Sequence, residues 1–265
     1  MTSKSATSHS GLAALANGAV LSPFTQLRRL LGTTPAGHPE PIDLTIGEPH
    51  EAMPAFVVDK LVEAASDYAS YPPIRGTSEL RNAISAWSGR RYGAAAALDP
   101  EREVLPINGS REGLFLAALP AAGRKQVSGR PAILMCNPYY SAYIGGALAA
   151  DAEPIYLNAT AATGHLPDLD ALAADKALLE RTVALYLCSP ANPQGAVASP
   201  TYIARALQLA RDYDFMLFFD ACYSEIYTAE APTGALQVAA ATPERFDNLV
   251  VFNSLSKRSN LPGLR

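Results

Sequence analysis

The chain has 265 residues, of which 49% are hydrophobic and 17% charged; this excludes a disordered chain and permits a sizeable core without disulfide or metal staples. The balance of 21 Lys and Arg against 25 Asp and Glu gives a net charge of −4, so there is no electrostatic footprint for nucleic acid or an anionic membrane. Cys136, Cys188 and Cys222 are far apart with no CxxC, and no apolar run approaches the ~18 residues of a membrane helix, so a cytoplasmic, reducing location is expected.

Residues 1–55 are rich in Pro and Gly and read as an arm with part of a small domain, leaving 56–265 as the main domain. The first 39 residues lack any acid, but their only Lys and Arg are Lys4, Arg28 and Arg29, and Asn17 and Gly18 break the apolar stretch. A frayed N-terminus is therefore expected rather than a targeting signal. Leu80, Ile84 and Trp87 recur at helical spacing after a candidate cap at Thr77.

Short apolar runs follow, each bounded by turn residues: Ala132–Cys136, Pro154–Leu157, Val183–Cys188, Phe215–Phe219 and Leu249–Phe252. Their length and their β-branched or aromatic content mark them as buried strands. Ser199 followed by Pro200 supplies an N-cap and first-turn pair for a helix running to about Asp212. Alternation of strands and helices predicts a three-layer α/β/α domain with a mostly parallel sheet.

Ligands of such sheets bind beyond the carboxyl ends of the strands. Those ends carry NPYY at 137–140, SPANPQG at 189–195, DACY at 220–223 and NSLSKR at 253–258. An aromatic, an amide, a carboxylate with a phenol, and a lysine should thus share one edge. A lysine amine can attack a carbonyl. A carboxylate can hold a protonated pyridine nitrogen, a phenol and an amide can bond a ring oxygen, and small hydroxyls with an arginine can hold a phosphate. This set suits pyridoxal 5′-phosphate, an electron sink for carbanions.

NPQG, DACYSEIY and SLSKRSNLPGLR together resemble the large domain of the class I/II aminotransferases, the fold-type I pyridoxal-phosphate enzymes. IGEP at 46–49, YPPIRGTSELRNAI at 71–84 and NGSREGLF at 108–115 match that family in order, and the likeness runs from about residue 23 to the last residue. CYSEIY, NGSREGLF and SLSKRSN are most similar to the succinyldiaminopimelate aminotransferases of bacterial lysine biosynthesis.

The resemblance implies transamination between an amino acid and a 2-oxo acid, with glutamate and 2-oxoglutarate as the donor pair, by a homodimer. It makes Lys257 the Schiff-base lysine and proton shuttle, and Asp220 the partner of the pyridinium nitrogen. Tyr223 and Asn192 would bond the ring 3-oxygen, and Tyr140 would stack on the ring, with Tyr139 as its rival. Ser110, the Arg111 amide, Ser254 and Arg265 would hold the phosphate, joined by Tyr71 from the other subunit. Gly47 would lie near the substrate carboxylate.

Each residue alone has a plainer reading. Lone lysines are usually solvated, Asp220 could cap a helix, Asn192 could merely make a turn before Pro193, and Tyr71 could be a loop aromatic. Arg75, Arg111 and Arg258 read as structural or solvated rather than catalytic, and Cys222 as a buried filler. His9, His38, His50 and His165 lack ligand spacing, so no metal is expected. Ser254-Leu255-Ser256-Lys257 also fits the S-x-x-K of serine acylases, but the companion SDN and KTG motifs are absent. In the family the chain continues past the position of Arg265 into a small domain bearing the arginine for the substrate carboxylate. The resemblance therefore marks this chain as C-terminally truncated. It leaves a defective or remnant aminotransferase, or one of other specificity, as the alternative, with poor uptake of cofactor by residues 1–265 expected.

Overall fold

The computed structural model describes residues 23–42 and 44–264. Helix α1 (Pro23–Leu31) is followed by a stretch without helix or strand among the described residues, up to α2 (Ala55–Glu63). Helix α3 (Ser78–Tyr92) begins where its cap was predicted, with Thr77 Oγ1 accepting from Leu80 N at 3.2 Å. The face it buries is mixed, with Ile84 and Trp87 half-buried and Trp87 packed against the core. Arg81, Ser88 and Tyr92 are buried while Leu80 is exposed. The cause is hydrogen bonding to the following loop: Arg81 reaches Pro100 O at 2.9 Å, and Ser88 Oγ reaches Ala96 O at 3.0 Å. Burying loop carbonyls demands donors, and Arg81 and Ser88 supply them.

Strands β1 (Ala132–Asn137), β2 (Glu153–Asn158), β3 (Thr182–Cys188), β4 (Met216–Asp220) and β5 (Leu249–Phe252) form one sheet in the order β2-β1-β3-β4-β5. Every pairing is parallel, as the strand–helix alternation predicts. Helices α4 (Ser110–Leu116) and α5 (Ala118–Arg124) precede β1, and α6 (Ser141–Ala149) links β1 to β2. Helices α7 (Leu169–Ala174) and α8 (Lys176–Arg181) lead to β3, α9 (Pro200–Asp212) to β4, and α10 (Ala235–Ala240) to β5, after which comes α11 (Leu255–Arg258).

All seven residues of central β3 are buried. Alternate side chains enter opposite layers. Leu185 and Leu187 pack with Leu134, Leu217, Phe219 and the α9 residues Ile203 and Leu207. Ala184 and Tyr186 pack with Ile133, Met135, Phe218 and the α6 residues Tyr143 and Ala147. Each fully buried leucine contributes about 2 kcal/mol, so both layers anchor the sheet. Helix α6 lies close against the segment around Phe115, since a Cβ on Gly146 would sit 2.6 Å from Phe115 O.

The strand order carries a functional consequence. The chain adds β2 on one side of β1 and then β3 on the other. That reversal opens a crevice beyond the carboxyl ends of β1 and β3.

Candidate active site

A cavity of about 630 Å³ occupies that crevice, and the ends of four segments line it. Pro138, Tyr139, Tyr140 and Tyr143 come from the β1 end and the first turn of α6; Cys188, Asn192 and Pro193 follow β3. Asp220, Cys222 and Tyr223 come from the β4 end, and Ser254, Ser256 and Lys257 from the segment after β5. Ser110 and Arg111 at the start of α4 and Gly47 from the N-terminal segment complete the wall.

Asp220 is not a helix cap but the last residue of β4, paired with Cys188 and Phe252 on the neighbouring strands. Its side chain is buried at 4% exposure. Oδ2 accepts from the Tyr143 hydroxyl at 2.6 Å, and Oδ1 from the Cys222 amide at 3.1 Å. Among the described residues no cation forms an ion pair with it. A buried carboxylate without a countercharge is costly, so a positive group entering beside it would be favoured.

Tyr223 and Asn192, both assigned to the ring oxygen by the resemblance, meet each other: Asn192 Nδ2 donates to the Tyr223 hydroxyl at 3.0 Å. Burial pushes the Tyr223 phenol up to about 12, so it keeps its proton and remains a donor. Lys257 sits on α11, whose first turn is capped by Ser254 Oγ accepting from Ser256 N at 3.1 Å. Lys257 Nζ donates to Gly47 O at 2.8 Å, which brings the sequence-predicted lysine and glycine into contact. The Ser254 hydroxyl also reaches Ser256 Oγ at 2.8 Å.

The two rival tyrosines differ in what they touch. Tyr139 already stacks on Tyr156, with centroids 5.3 Å apart. Tyr140 presents its edge relation to Tyr143 at 5.8 Å and 82°, and its hydroxyl accepts from Arg111 Nε at 2.7 Å. Tyr139 is thus stacked with another ring and Tyr140 with none, although the Arg111 guanidinium lies over the Tyr140 ring at 6.0 Å from its centroid. The Arg111 side chain, read as structural or solvated, steadies this aromatic. Ser110 Oγ lies 3.5 Å from Cys222 Sγ. Burial pushes the Cys136 thiol up to about 11 and the Cys188 and Cys222 thiols upward as well, so all three are protonated, poor nucleophiles.

Tyr71 is fully exposed and does not line the cavity; Arg265 lies outside the described residues. Tyr143, which touches Asp220, was missed from the sequence. Its one local signal is its place three residues after Tyr140, where the first turn of α6 returns toward the strand ends. Among the described residues, no helix is long and apolar enough to cross a membrane.

The sequence profile described as aminotransferase class I and II matches residues 39–265. The LL-diaminopimelate aminotransferase of Desulforudis audaxviator is 34% identical over 91% of this chain and 59% of its own length. That of Moorella thermoacetica is 36% identical over 84% of the chain and 55% of its own. The chain therefore spans somewhat over half the length of these curated relatives. Among solved structures, an aminotransferase from Neisseria meningitidis superposes with a TM-score of 0.83 at 34% identity, covering 92% of this chain and 62% of its own. N-succinyldiaminopimelate aminotransferase from Mycobacterium tuberculosis gives 0.69 at 29% identity, covering 83% and 55%. With its parallel sheet and its edge of carboxylate, phenol, amide and lysine, the chain belongs to the class I and II aminotransferases, a family dependent on pyridoxal 5′-phosphate.

Proposed function

We propose that the cavity is a pyridoxal-phosphate site serving transamination between an amino acid and a 2-oxo acid. The observation that carries this reading is the convergence, in one cavity, of a buried carboxylate that forms no ion pair among the described residues and a lysine that donates to a peptide carbonyl. The donor set fits the group. Bound there, pyridoxal phosphate supplies an aldehyde and an electron-withdrawing ring.

The chain's residues take the following roles. Asp220 keeps a proton on the ring nitrogen. Tyr223 and Asn192 bond the ring oxygen, and Tyr140 covers one ring face. Ser110, the Arg111 amide, Ser254 and Arg265 hold the phosphate together with Tyr71 of the partner subunit in a homodimer. Lys257 would supply the amine that holds the cofactor's aldehyde and, when free, would move a proton at the substrate Cα. Its present contact with Gly47 O places it beside the residue assigned to the substrate carboxylate. Residues 56–265 form the cofactor-binding domain in this reading, and 1–55 an arm. Diaminopimelate or its succinyl derivative is the proposed amino compound, on the strength of the relatives' names, with glutamate and 2-oxoglutarate as the donor pair, in the cytoplasm.

The test is to add pyridoxal phosphate to the purified protein, reduce with borohydride and map the label by peptide mass spectrometry. The pyridoxyl group is expected on Lys257; a label elsewhere, or none, overturns the assignment. Initial-rate plots for a full-length version, with both substrates varied, should be parallel, because donor and acceptor take turns at one site. Attachment at Lys257 without turnover would retain the cofactor site and refute the transamination.

A further inference from the structure

The strongest uncommitted feature of the molecule lies behind the cavity wall, and its interpretation rests on the role given to Asp220 above. We propose that Tyr143 is a positioning residue, whose hydroxyl fixes the Asp220 carboxylate in the orientation that meets the cofactor's ring nitrogen.

Four observations support it. The contact is short, with Tyr143 Oη 2.6 Å from Asp220 Oδ2, and both side chains are buried, at 2% and 4% exposure. That separation falls in the range of charge-assisted O–H···O⁻ bonds, roughly twice as strong as neutral ones. The donor is also permanent: burial, then the neighbouring Asp220 charge, hold the phenol well above its ordinary value, so it stays protonated. The ring cannot swing away. It lies parallel to Tyr186 with centroids 4.4 Å apart at 7°, Tyr140 meets it edge-on, and Tyr186 is itself tied through its hydroxyl to Leu114 O at 2.5 Å. Lastly, the two oxygens of Asp220 are held from different segments. One bond comes from α6 through Tyr143, the other from the Cys222 amide just beyond β4. Two donors from separate elements fix the plane of the carboxylate. One donor alone would let it rotate about its own bond.

The competing explanation is that Tyr143 is an ordinary core aromatic whose hydroxyl found an acceptor. The two differ in coupling. A residue that acts through Asp220 has nothing to act on once Asp220 is gone, whereas a packing residue has the same effect in either background.

The experiment is a double-mutant cycle on the full chain, read as the dissociation constant of pyridoxal phosphate and not as turnover. Tyr143→Phe keeps the ring and removes only the hydroxyl. Against Asp220 it is expected to weaken binding about tenfold. Against Asp220→Ala it is expected to change binding by less than about twofold. Melting curves of the cofactor-free variants verify folding; should Tyr143→Phe not fold, Tyr143→Met repeats the arm with a donor-free side chain. Unchanged binding in Tyr143→Phe, or an equal loss in both backgrounds, overturns the inference while Asp220 keeps its role. Binding unaffected by Asp220→Ala alone overturns the underlying assignment of Asp220.

Discussion

The end of β4 and the segment that follows β5 bring a carboxylate and a lysine to the site, and the two are built in opposite ways. Asp220 closes a strand, is almost wholly buried, and accepts hydrogen bonds at 2.6 and 3.1 Å from two segments. Lys257 stands on a four-residue helix, is half-buried, and holds one peptide carbonyl at 2.8 Å. A group that must stabilise a charge works best when its surroundings are fixed in advance. A group that must form a bond, release it and carry a proton needs a tie that is easily surrendered. A neutral carbonyl is such a tie, because its bond to an ammonium is replaced by water at little net cost.

The comparison can be broken from either side. Removing Lys257 should have the largest effect. Lys257→Ala is expected to lower turnover by about 10³-fold or more, since both the covalent anchor and the proton shuttle go. Non-covalent cofactor binding should survive, seen as cofactor that denaturation still releases after borohydride, now as its alcohol, with no pyridoxyl group left on the chain. Asp220→Ala should leave covalent attachment at Lys257 intact but cost at least ~100-fold in rate, the scale of losing a main electrostatic group. Steady-state turnover beside peptide mapping separates these two phenotypes; a variant of Asp220 with near-full activity would remove the fixed half of the comparison.

Smaller perturbations sharpen it. Asn192→Ala deprives the Tyr223 hydroxyl of its 3.0 Å donor and should raise the cofactor dissociation constant about fivefold, the scale of one ordinary hydrogen bond. An unchanged constant would detach this pair from the ring. The smallest effect concerns alkaline stability. Tyr223 titrates near 10.0 when unfolded and is raised to about 12 by burial when folded. Between those values the unfolded chain has lost the proton and the folded one has not, so stability falls as pH rises through that window. Tyr223→Phe should flatten part of that fall in chemical denaturation series at pH 9 to 11. An identical slope would place the phenol in a less buried setting.

Much of the fold was legible because its signals are local. Ser199-Pro200 predicts helix α9, and Pro200–Asp212 is where it lies. Leu249–Phe252 is likewise the strand read from its apolar run. The other strands differ by a residue or two at their ends. Asn137, Asn158 and Asp220 look like loop residues, yet their backbones pair in the ladder. Phe215 looks like strand, but it follows Asp214 at φ 49 and bonds back to Ala210 O at 2.9 Å, closing the turn after α9. Motif residues of the site, among them Lys257, Asp220, Tyr223, Asn192 and Tyr140, were legible from strand-end chemistry and family likeness together. Tyr143 was not, because its contact with Asp220 spans 77 positions. The inward polar residues of α3 were hidden for the same reason: their partners are loop carbonyls, which leave no mark on hydrophobic periodicity.

The account rests most heavily on a carboxylate that holds a positive ring nitrogen against the sheet edge. Nitrogen-15 magnetic resonance of pyridoxal phosphate labelled in its ring and bound to this protein measures that state directly. The expected result is a protonated ring nitrogen that persists above the pH at which the free cofactor loses its proton, and that becomes neutral in Asp220→Ala. An unprotonated nitrogen in the unmodified protein at neutral pH, or a protonated one that ignores the loss of Asp220, would contradict it.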